Sequence, residues 1–252
     1  MEHLVFRLYG AMASWGEVAV GGIRHSACYP SKSAIAGLLG AALGIKRSEE
    51  TQQLELARGY CQAIKIVNSG VLQRDFHTIQ APDSAGKFRY RTRRDELVVG
   101  CSRLGTILSQ REYLADAQVL VALKATESAH WSLKDLAGAL ARPKFHLYLG
   151  RKAFPLSVPT AAHLIEAENF RHALDLYPLT DVLQYQLTWA RQERWRPDDL
   201  PRQYYWEGDI EDFSQEDEQF SLGAVQQLSR LDEPLSRKRW QFQPRMEYHW
   251  RS

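Results

Sequence analysis

Residues 34–45 read AIAGLLGAALGI, twelve consecutive side chains without a charge or a hydrogen-bonding group. Such a run is too short to span a bilayer and too apolar all round to lie on a surface. With Pro30 before it and Ser31 or Ser33 as N-cap, it predicts a helix to about Gly44 that must be buried against a sheet. Gly37, Gly40 and Gly44 lower its intrinsic propensity, so close packing rather than local preference has to hold it. The chain therefore needs a sizeable core, which 252 residues with 44% hydrophobic content can supply.

The neighbouring patterns suggest what covers that helix. Residues 3–9, 62–67, 113–123 and 145–149 predict strands, and Gly10, Gly16, Gly21 and Gly22 mark a loop after the first. Residues 132–140 predict an amphipathic helix, with Leu133, Leu136, Ala137 and Leu140 at helical spacing and Ser132 with Asp135 as a capping box. The order βαββαβ is that of an α+β, ferredoxin-like (RRM-type) core, expected over residues 1–160. Residues 161–252 are expected to form a smaller β-rich subdomain packed on it. Its expected elements are a helix over 161–176, a strand over 185–189, an acidic loop over 207–218 and a return to the sheet over 238–250. Many unrelated activities use the ferredoxin-like fold, so topology alone says little about function.

Charge is more informative by segment than in total. The formal net charge is only +2. Residues 58–111, however, carry ten Lys/Arg against four Asp/Glu, and residues 142–152 carry four basic residues and no acid. Residues 237–251 carry five against one, while residues 207–218 hold seven acids and no base. An indiscriminate polycation is excluded, and a polarised surface is expected.

The sharpest cluster is KFRYRTRR at residues 87–94, after a turn-like stretch over 81–86. Lys87, Arg89, Arg91 and Arg93 recur with period two, alternating with Phe88, Tyr90 and Thr92. In a strand, one side would be a ladder of cations and the other aromatic and β-branched. Such a ladder suits a phosphate backbone, with aromatics available to stack on bases. Edge-strand protection is the plainer alternative, but it needs only one or two charges.

Cys28, Cys61 and Cys101 are odd in number, lie far apart and form no CxxC pair, so neither a disulfide framework nor a zinc site is expected. No HExxH or paired-carboxylate motif points to a metal or cofactor. No secretion signal or membrane span is recognised, and a reducing cytoplasm is the expected compartment.

Several stretches together resemble a known family: LYGAMASWG at 8–16, Arg24, YPSKSAIAGLLGAALGI at 29–45, RDFHT at 74–78, REYLADA at 111–117, and RPKFHLYLGRK at 142–152 with Pro155 and Leu156. DEP at 232–234 matches more faintly. In that order they are similar to the CasD-type subunits of type I-E CRISPR Cascade complexes, members of the RAMP superfamily. The resemblance implies an RNA-binding ferredoxin-like core with a protruding hairpin, the thumb, at about residues 79–110. It also implies a non-catalytic subunit that caps the 5′ handle of the CRISPR RNA and orders the first guide nucleotides. Implied partners are the CRISPR RNA, the repeated backbone subunit, the large subunit that reads the protospacer-adjacent motif and, indirectly, the target DNA. No membrane partner is implied.

Residue chemistry and resemblance together nominate an RNA-binding set. It comprises Lys87, Arg89, Arg91, Arg93 and Arg94 of the ladder, with Trp15, Arg24, Ser31, Lys32, Ser33, His77, Arg111, Arg142, Lys144, Gly150, Arg151 and Lys152. Ser31, Lys32 and Ser33 can hold a phosphate at a helix start or simply cap it. Glycine at 150 would let a ligand approach the backbone beside Arg151 and Lys152. Trp15 is either a core or interface aromatic or a stacking platform, and Trp240 and Trp250 carry a similar ambiguity.

A metal-independent endoribonuclease is the first alternative, using His25, His77 or His146 with Lys32, Lys144 and Tyr29. A related branch that cleaves its own repeat RNA uses Tyr with an adjacent Lys-His pair. Here the corresponding pairs are Lys144-Phe-His146 and Arg24-His25. A stand-alone RRM-like RNA-binding protein is the second alternative.

Overall fold

The computed structural model describes residues 1–83, 89–98, 101–178, 202–214, 220–236 and 238–252. Strand β1 (Glu2–Tyr9) is buried from its second residue onward, which marks an inner strand. Leu4, Phe6 and Leu8 enter one core layer and Val5 another, the two-residue period dividing the interior at the sheet. Short pieces β2 (Met12–Ala13), β3 (Trp15–Gly16), β4 (Ile23–Arg24) and β5 (Ser26–Ala27) occupy the expected glycine loop. Then come α1 (Lys32–Leu43), α2 (Glu50–Arg58), β6 (Tyr60–Asn68), β7 (Val71–Pro82), α3 (Arg93–Val98), β8 (Leu104–Ala115), β9 (Gln118–Ala125) and α4 (Leu133–Ala141). The described chain continues with β10 (His163–Glu166), α5 (Phe170–Leu176), β11 (Gln203–Trp206), β12 (Gln226–Ser236) and β13 (Gln241–Arg251).

Seven strands form one sheet in the order β10-β1-β9-β6-β11-β13-β12, all neighbours antiparallel. Helices α1, α2 and α4 cover one face through Ile35, Leu38, Leu39, Leu56, Leu133, Leu136 and Leu140. Phe170, Ala173 and Leu174 of α5 pack on the other with Tyr204, Trp206, Phe213 and Trp250. The architecture is a sheet-rich mixture of α and β.

Helix α1 forms as its sequence requires. The Ser31 hydroxyl accepts from the Ala34 N–H at 3.2 Å, and Gly44 ends the helix at φ +81°. A Cβ on Gly40 would stand 3.0 Å from Gln53 of α2, so this glycine permits close approach. The capping box of α4 is also present, with Ser132 Oγ accepting from Asp135 N–H at 3.1 Å and Asp135 Oδ2 accepting from Ser132 N–H at 3.2 Å.

Five expectations need correction. The strand expected over 113–123 is two strands, β8 and β9, turning at Asp116 with φ +60°. Tyr9 Oη donates to Asp116 Oδ1 at 2.6 Å and Asn68 Nδ2 donates to its carbonyl at 2.8 Å, which pins the turn. The strand expected over 145–149 contributes only a bridge between Tyr148 and Pro155. Its Leu147 and Leu149 are buried alternately, but Lys144 and Phe145 N–H groups donate to Ala42 and Ala41 of α1. β10 holds the sheet edge beside β1 instead. The helix expected over 161–176 is therefore β10 followed by the shorter α5, capped by Asn169.

The cationic ladder is not a strand in its described part. Residues 89–91 are irregular and Arg93 begins α3. Asp95 Oδ2 accepts from the N–H groups of Arg91 (3.2 Å) and Thr92 (3.1 Å), and Thr92 Oγ1 accepts from Asp95 N–H. A local T-x-x-D cap overrides the two-residue period. Lys87 and Phe88 lie outside the described residues, as do the strand expected over 185–189 and residues 215–219 of the acidic block. In the rest of that block Glu207 is buried against Lys32 and Asp212 pairs with Lys124, so part of it is internal counter-charge rather than solvated loop. The return to the sheet over 238–250 corresponds to β13.

Candidate nucleic-acid interface

Strands β7 and β8 pair over twelve registered positions, from Val71↔Ala115 to Pro82↔Leu104. Eight of the twelve residues of β7 and four of the twelve of β8 are exposed, including Phe76 at 75% and Leu108 at 67%. Arg89, Arg91, Arg93 and Arg94 are exposed beyond its end. Arg93 donates to the Gln80 carbonyl and pairs with Glu96, which ties α3 back to β7.

Two side chains of β8 anchor the hairpin base, one on each face. Glu112 is buried and accepts from Arg74 Nε at 3.1 Å and Ser26 N–H at 3.4 Å, with His25 Nδ1 at 3.1 Å. Burial alone would raise its carboxyl, but the hydrogen bonds from His25, Ser26 and Arg74 outweigh that and hold it below the usual carboxylate range. On the other face, Tyr113 Oη lies 3.1 Å from His77 Nε2 and accepts from Arg151 Nη1 at 3.2 Å. The Arg151 guanidinium also sits 4.8 Å from the centre of the Tyr113 ring. His77 further meets Asp75 at 2.8 Å, and Arg111 lies opposite Asp75 in register. Arg24 stands beside Arg111 through the parallel pairing of β4 with β8, its guanidinium donating to the Gly21 carbonyl at 2.6 Å.

His77, Arg111 and Arg151 are thus brought together at the hairpin base, with Arg24 on the adjacent strand. Arg142 and Lys144 lie apart, exposed near the C-terminal ends of α4 and α1, and Lys152 lies in the turn after Arg151. Gly150 has φ +81°, and a Cβ there would fall 1.8 Å from the Ser14 carbonyl oxygen. Its freedom serves approach to this chain's own backbone, not to a ligand.

Four expected contacts are turned inward. Trp15 is 4% exposed in the core, which leaves no open ring face for a base. The phosphate cradle at the start of α1 is filled by the chain itself. The Lys32 N–H donates to Asp232 Oδ2 at 2.8 Å and Lys32 Nζ donates to Glu207 Oε2 at 2.8 Å. Ser31 Oγ caps the helix and lies 3.0 Å from Ser33 Oγ.

These contacts belong to a buried network that sequence reasoning missed. Arg245 donates to Asp232 at 2.7 and 3.1 Å and to Glu247 at 2.7 Å, and lies 3.8 Å from Glu207. Arg230 approaches Asp232 and Glu247 at 3.6 and 3.9 Å, and its guanidinium sits 4.2 Å from the centre of the Tyr29 ring. Tyr29 donates to Glu247, and burial pushes its phenol upward. Burial likewise raises Glu207, against the pull of Lys32 and Arg245. Three cations and three carboxylates balance, so the site is neutral and closed to a further anion. No short-range pattern signals such a pairing across two hundred residues.

The fold is shared with two solved structures. One belongs to a CRISPR RNA-guided surveillance complex, at 24% identity and a TM-score of 0.59, covering 99% of this chain and 89% of that one. The other is a crystal structure of a Cas protein, at 24% identity and a TM-score of 0.57, covering 99% and 94%. The family described as CRISPR-associated protein (Cas_Cas5) matches residues 3–251. The CRISPR system Cascade subunit CasD of Escherichia coli (strain K12) is 30% identical over 222 residues, covering 81% of this chain and 92% of that protein. The chain belongs to the CRISPR-associated Cas5 family.

Proposed function

We propose that this protein is a non-catalytic subunit of a type I-E, Cascade-like CRISPR RNA-guided surveillance complex, binding the 5′ handle of the guide RNA. In this reading β1, β6, β9 and β10 with α1 and α4 are a ferredoxin-like core whose last strand, β10, lies just past residue 160. The rest of residues 161–252 packs on it as the C-terminal subdomain. The β7–β8 hairpin is the thumb that orders the first guide nucleotides. Backbone and large subunits are its protein partners, and target DNA is met through the complex.

The observation that carries this reading is the hairpin. Phe76, Leu108, Ile107 and Val71 are exposed along one projecting ribbon, with Arg89, Arg91 and Arg94 exposed beyond its end. Phe76 and Leu108 share one face of the ribbon and Val71 and Ile107 the other; apolar side chains left exposed in this way suit a surface that a partner covers, and the terminal cations suit phosphates. The endoribonuclease alternative has less support. Tyr29 and Lys32 are spent in the buried network, His25 faces Glu112, and His146 lies elsewhere on the surface. His77 is held by Asp75 and Tyr113 at the hairpin base.

Co-purification tests the reading directly. The full chain should associate with the other subunits when guide RNA is present and not without it. RNA-independent behaviour as a monomer would overturn it. With repeat RNA in EDTA no specific cut is expected. A cut leaving a cyclic phosphate and lost in His77→Ala would establish the alternative instead.

A further inference from the structure

The β7–β8 hairpin continues the pairing of β6 with β9 across a corner. Asn68 faces Gln118 in the last pair of the main sheet, and Val71 faces Ala115 in the first pair of the hairpin. Only residues 69–70 and 116–117 lie between, and each crossing turns through a left-handed residue, Gly70 at φ +70° and Asp116 at φ +60°. A Cβ on Gly70 would stand 2.6 Å from the Ala115 carbonyl oxygen, so the two crossings press against each other. Two short links at one level have the form of a hinge. At about 3.3 Å per residue the strands carry the tip roughly 40 Å from it, so a tilt of about 15° moves the tip roughly 10 Å.

Ties beyond the hinge must fix the angle. β2 pairs with β8 at Leu114 and Ala115, level with the hinge, where a tie has no leverage. β4 pairs with β8 further out, at Gln110 and Arg111, but β4 belongs to a glycine-flanked stretch in which Glu17, Val18, Val20 and residues 21–25 are exposed, free to travel with the hairpin. Glu112 draws its donors from Arg74 of the hairpin itself and from His25 and Ser26 at the end of that stretch. Tyr113 is held differently. The Arg151 guanidinium lies 4.8 Å from its ring centre with Nη1 donating to its hydroxyl at 3.2 Å, and the Phe154 ring meets it edge-on at 5.2 Å. Those two residues close a turn, Phe154 N–H donating to the Arg151 carbonyl at 2.9 Å and Leu149 N–H to the Phe154 carbonyl at 2.8 Å. Leu149 is 1% exposed in the core, and Lys144 and Phe145 are hydrogen-bonded to α1. The turn is part of the body.

We propose that Arg151 is a positioning residue, a strut from the core to Tyr113 that sets the angle at which the hairpin leaves the sheet. Its charge is spent on a tyrosine of this chain rather than on a ligand. Gly150 serves the same end. Only a residue without a Cβ lies this close to the Ser14 carbonyl, and Ser14 in turn donates to the Leu149 carbonyl at 3.1 Å and, through its hydroxyl, to the Glu112 carbonyl at 3.3 Å. The strut acts whatever the hairpin meets, so it stands apart from the RNA-binding reading above.

Two of the protein's own thiols report the angle. Cys101 lies at the far end of the hairpin and Cys28 on the body before α1, both exposed, while the partly buried Cys61 is removed in a Cys61→Ala background. Spin labels on Cys28 and Cys101 of the full chain, read by double electron–electron resonance, should give one narrow distance distribution. Arg151→Ala should broaden it by roughly 10 Å, the travel of the tip under a modest tilt, while the protein still melts cooperatively. Arg151→Lys should recover only part of the narrowing, because an ammonium has no planar fork to lie on the ring and reach its hydroxyl together. Tyr113→Phe should broaden it less than Arg151→Ala, since the cation keeps the ring and loses only the hydroxyl. A broad distribution in the wild type would overturn the proposal, and so would an unchanged one in folded Arg151→Ala. Weaker RNA binding with the distribution intact would make Arg151 a nucleic-acid contact instead, which also overturns it. Should Arg151→Ala fail to fold, Arg151→Lys and Tyr113→Phe carry the test, and an unchanged distribution in both decides against the strut.

Discussion

Two long antiparallel hairpins leave this protein's sheets, and they are built in opposite ways. The β12–β13 hairpin has eleven residues in each strand and inserts Arg230, Asp232, Arg245 and Glu247 between itself and the start of α1. The β7–β8 hairpin has twelve in each strand and is held near its base by short pairings of β8 with β2 and β4 and by Glu112 and Tyr113. The first puts charge inside and the second leaves apolar side chains outside. Each arrangement is costly for an isolated protein. The buried charges are neutralised within the chain, whereas the exposed apolar ribbon is complete only with something beyond it. Burial of charge thus marks an internal clasp, and exposure of apolar surface marks an external contact.

The sharpest break of that contrast is Arg245→Ala. It strands Asp232 and Glu247 in the interior with Lys32 and Arg230 as the remaining cations. Unpairing a buried ion network typically costs about 3–5 kcal/mol, which for a domain of this size lowers Tm by roughly 6–20 °C. Arg245→Lys should recover only part of it, since an ammonium cannot reproduce the two-pronged contact with Asp232. A thermal melt checks both. An Arg245→Ala protein with wild-type Tm would mean that the clasp is not one.

The projecting hairpin should respond in binding rather than in stability. Replacing Arg89, Arg91 and Arg94 with Ala should reduce the slope of log K against log salt for single-stranded RNA by roughly 2 units, at about 0.7 per phosphate contact. An unchanged slope would place those cations against protein or water. Phe76→Ser should leave Tm within about 2 °C, as exposed substitutions usually alter stability by no more than about 0.5 kcal/mol. It should still reduce recovery of the protein with its complex, read by pull-down. A folded variant that assembles normally would show that the ribbon's apolar face is idle.

What could be read in advance divides along the same line. Helices α1 and α4 were legible because their caps, Ser31 and Ser132, lie within three residues of the groups they bind. The basic segment was found but given the wrong shape, because Thr92 and Asp95 close a helix start that an alternating pattern hides. Leu147 and Leu149 alternate like a strand because they pack under α1, and their segment hydrogen-bonds to that helix rather than to a sheet. The site suffered most from distance in sequence. Nothing near Lys32 announces Asp232 or Glu207, and nothing near Trp240 or Trp250 tells which is exposed. The cations of the hairpin were legible because an exposed charge needs no partner from elsewhere in the chain.

Acid should separate the two hairpins by sign, the smallest but most specific of these effects. Glu112 at the base of β7–β8 is held below the usual carboxylate range by its three donors. The unfolded chain therefore takes up that proton first as pH falls. The stability Glu112 contributes is complete above the ordinary carboxylate range and is lost as pH falls through its depressed folded value. Glu207, beside β12–β13, is raised by burial, so the folded chain takes up its proton first. Its effect runs the other way, with stability gained as pH falls from its raised value towards the ordinary one. Replacing Glu112 with Gln should flatten the acid loss seen in melts from pH 7 to pH 3, and replacing Glu207 with Gln should steepen it. Hydrogen exchange localises the difference, since acid should loosen the amides of β7 and β8 before those of β12 and β13. Uniform loosening of both hairpins would mean that one cooperative unit carries both carboxylates, and the contrast between clasp and projection would then be one of surface alone.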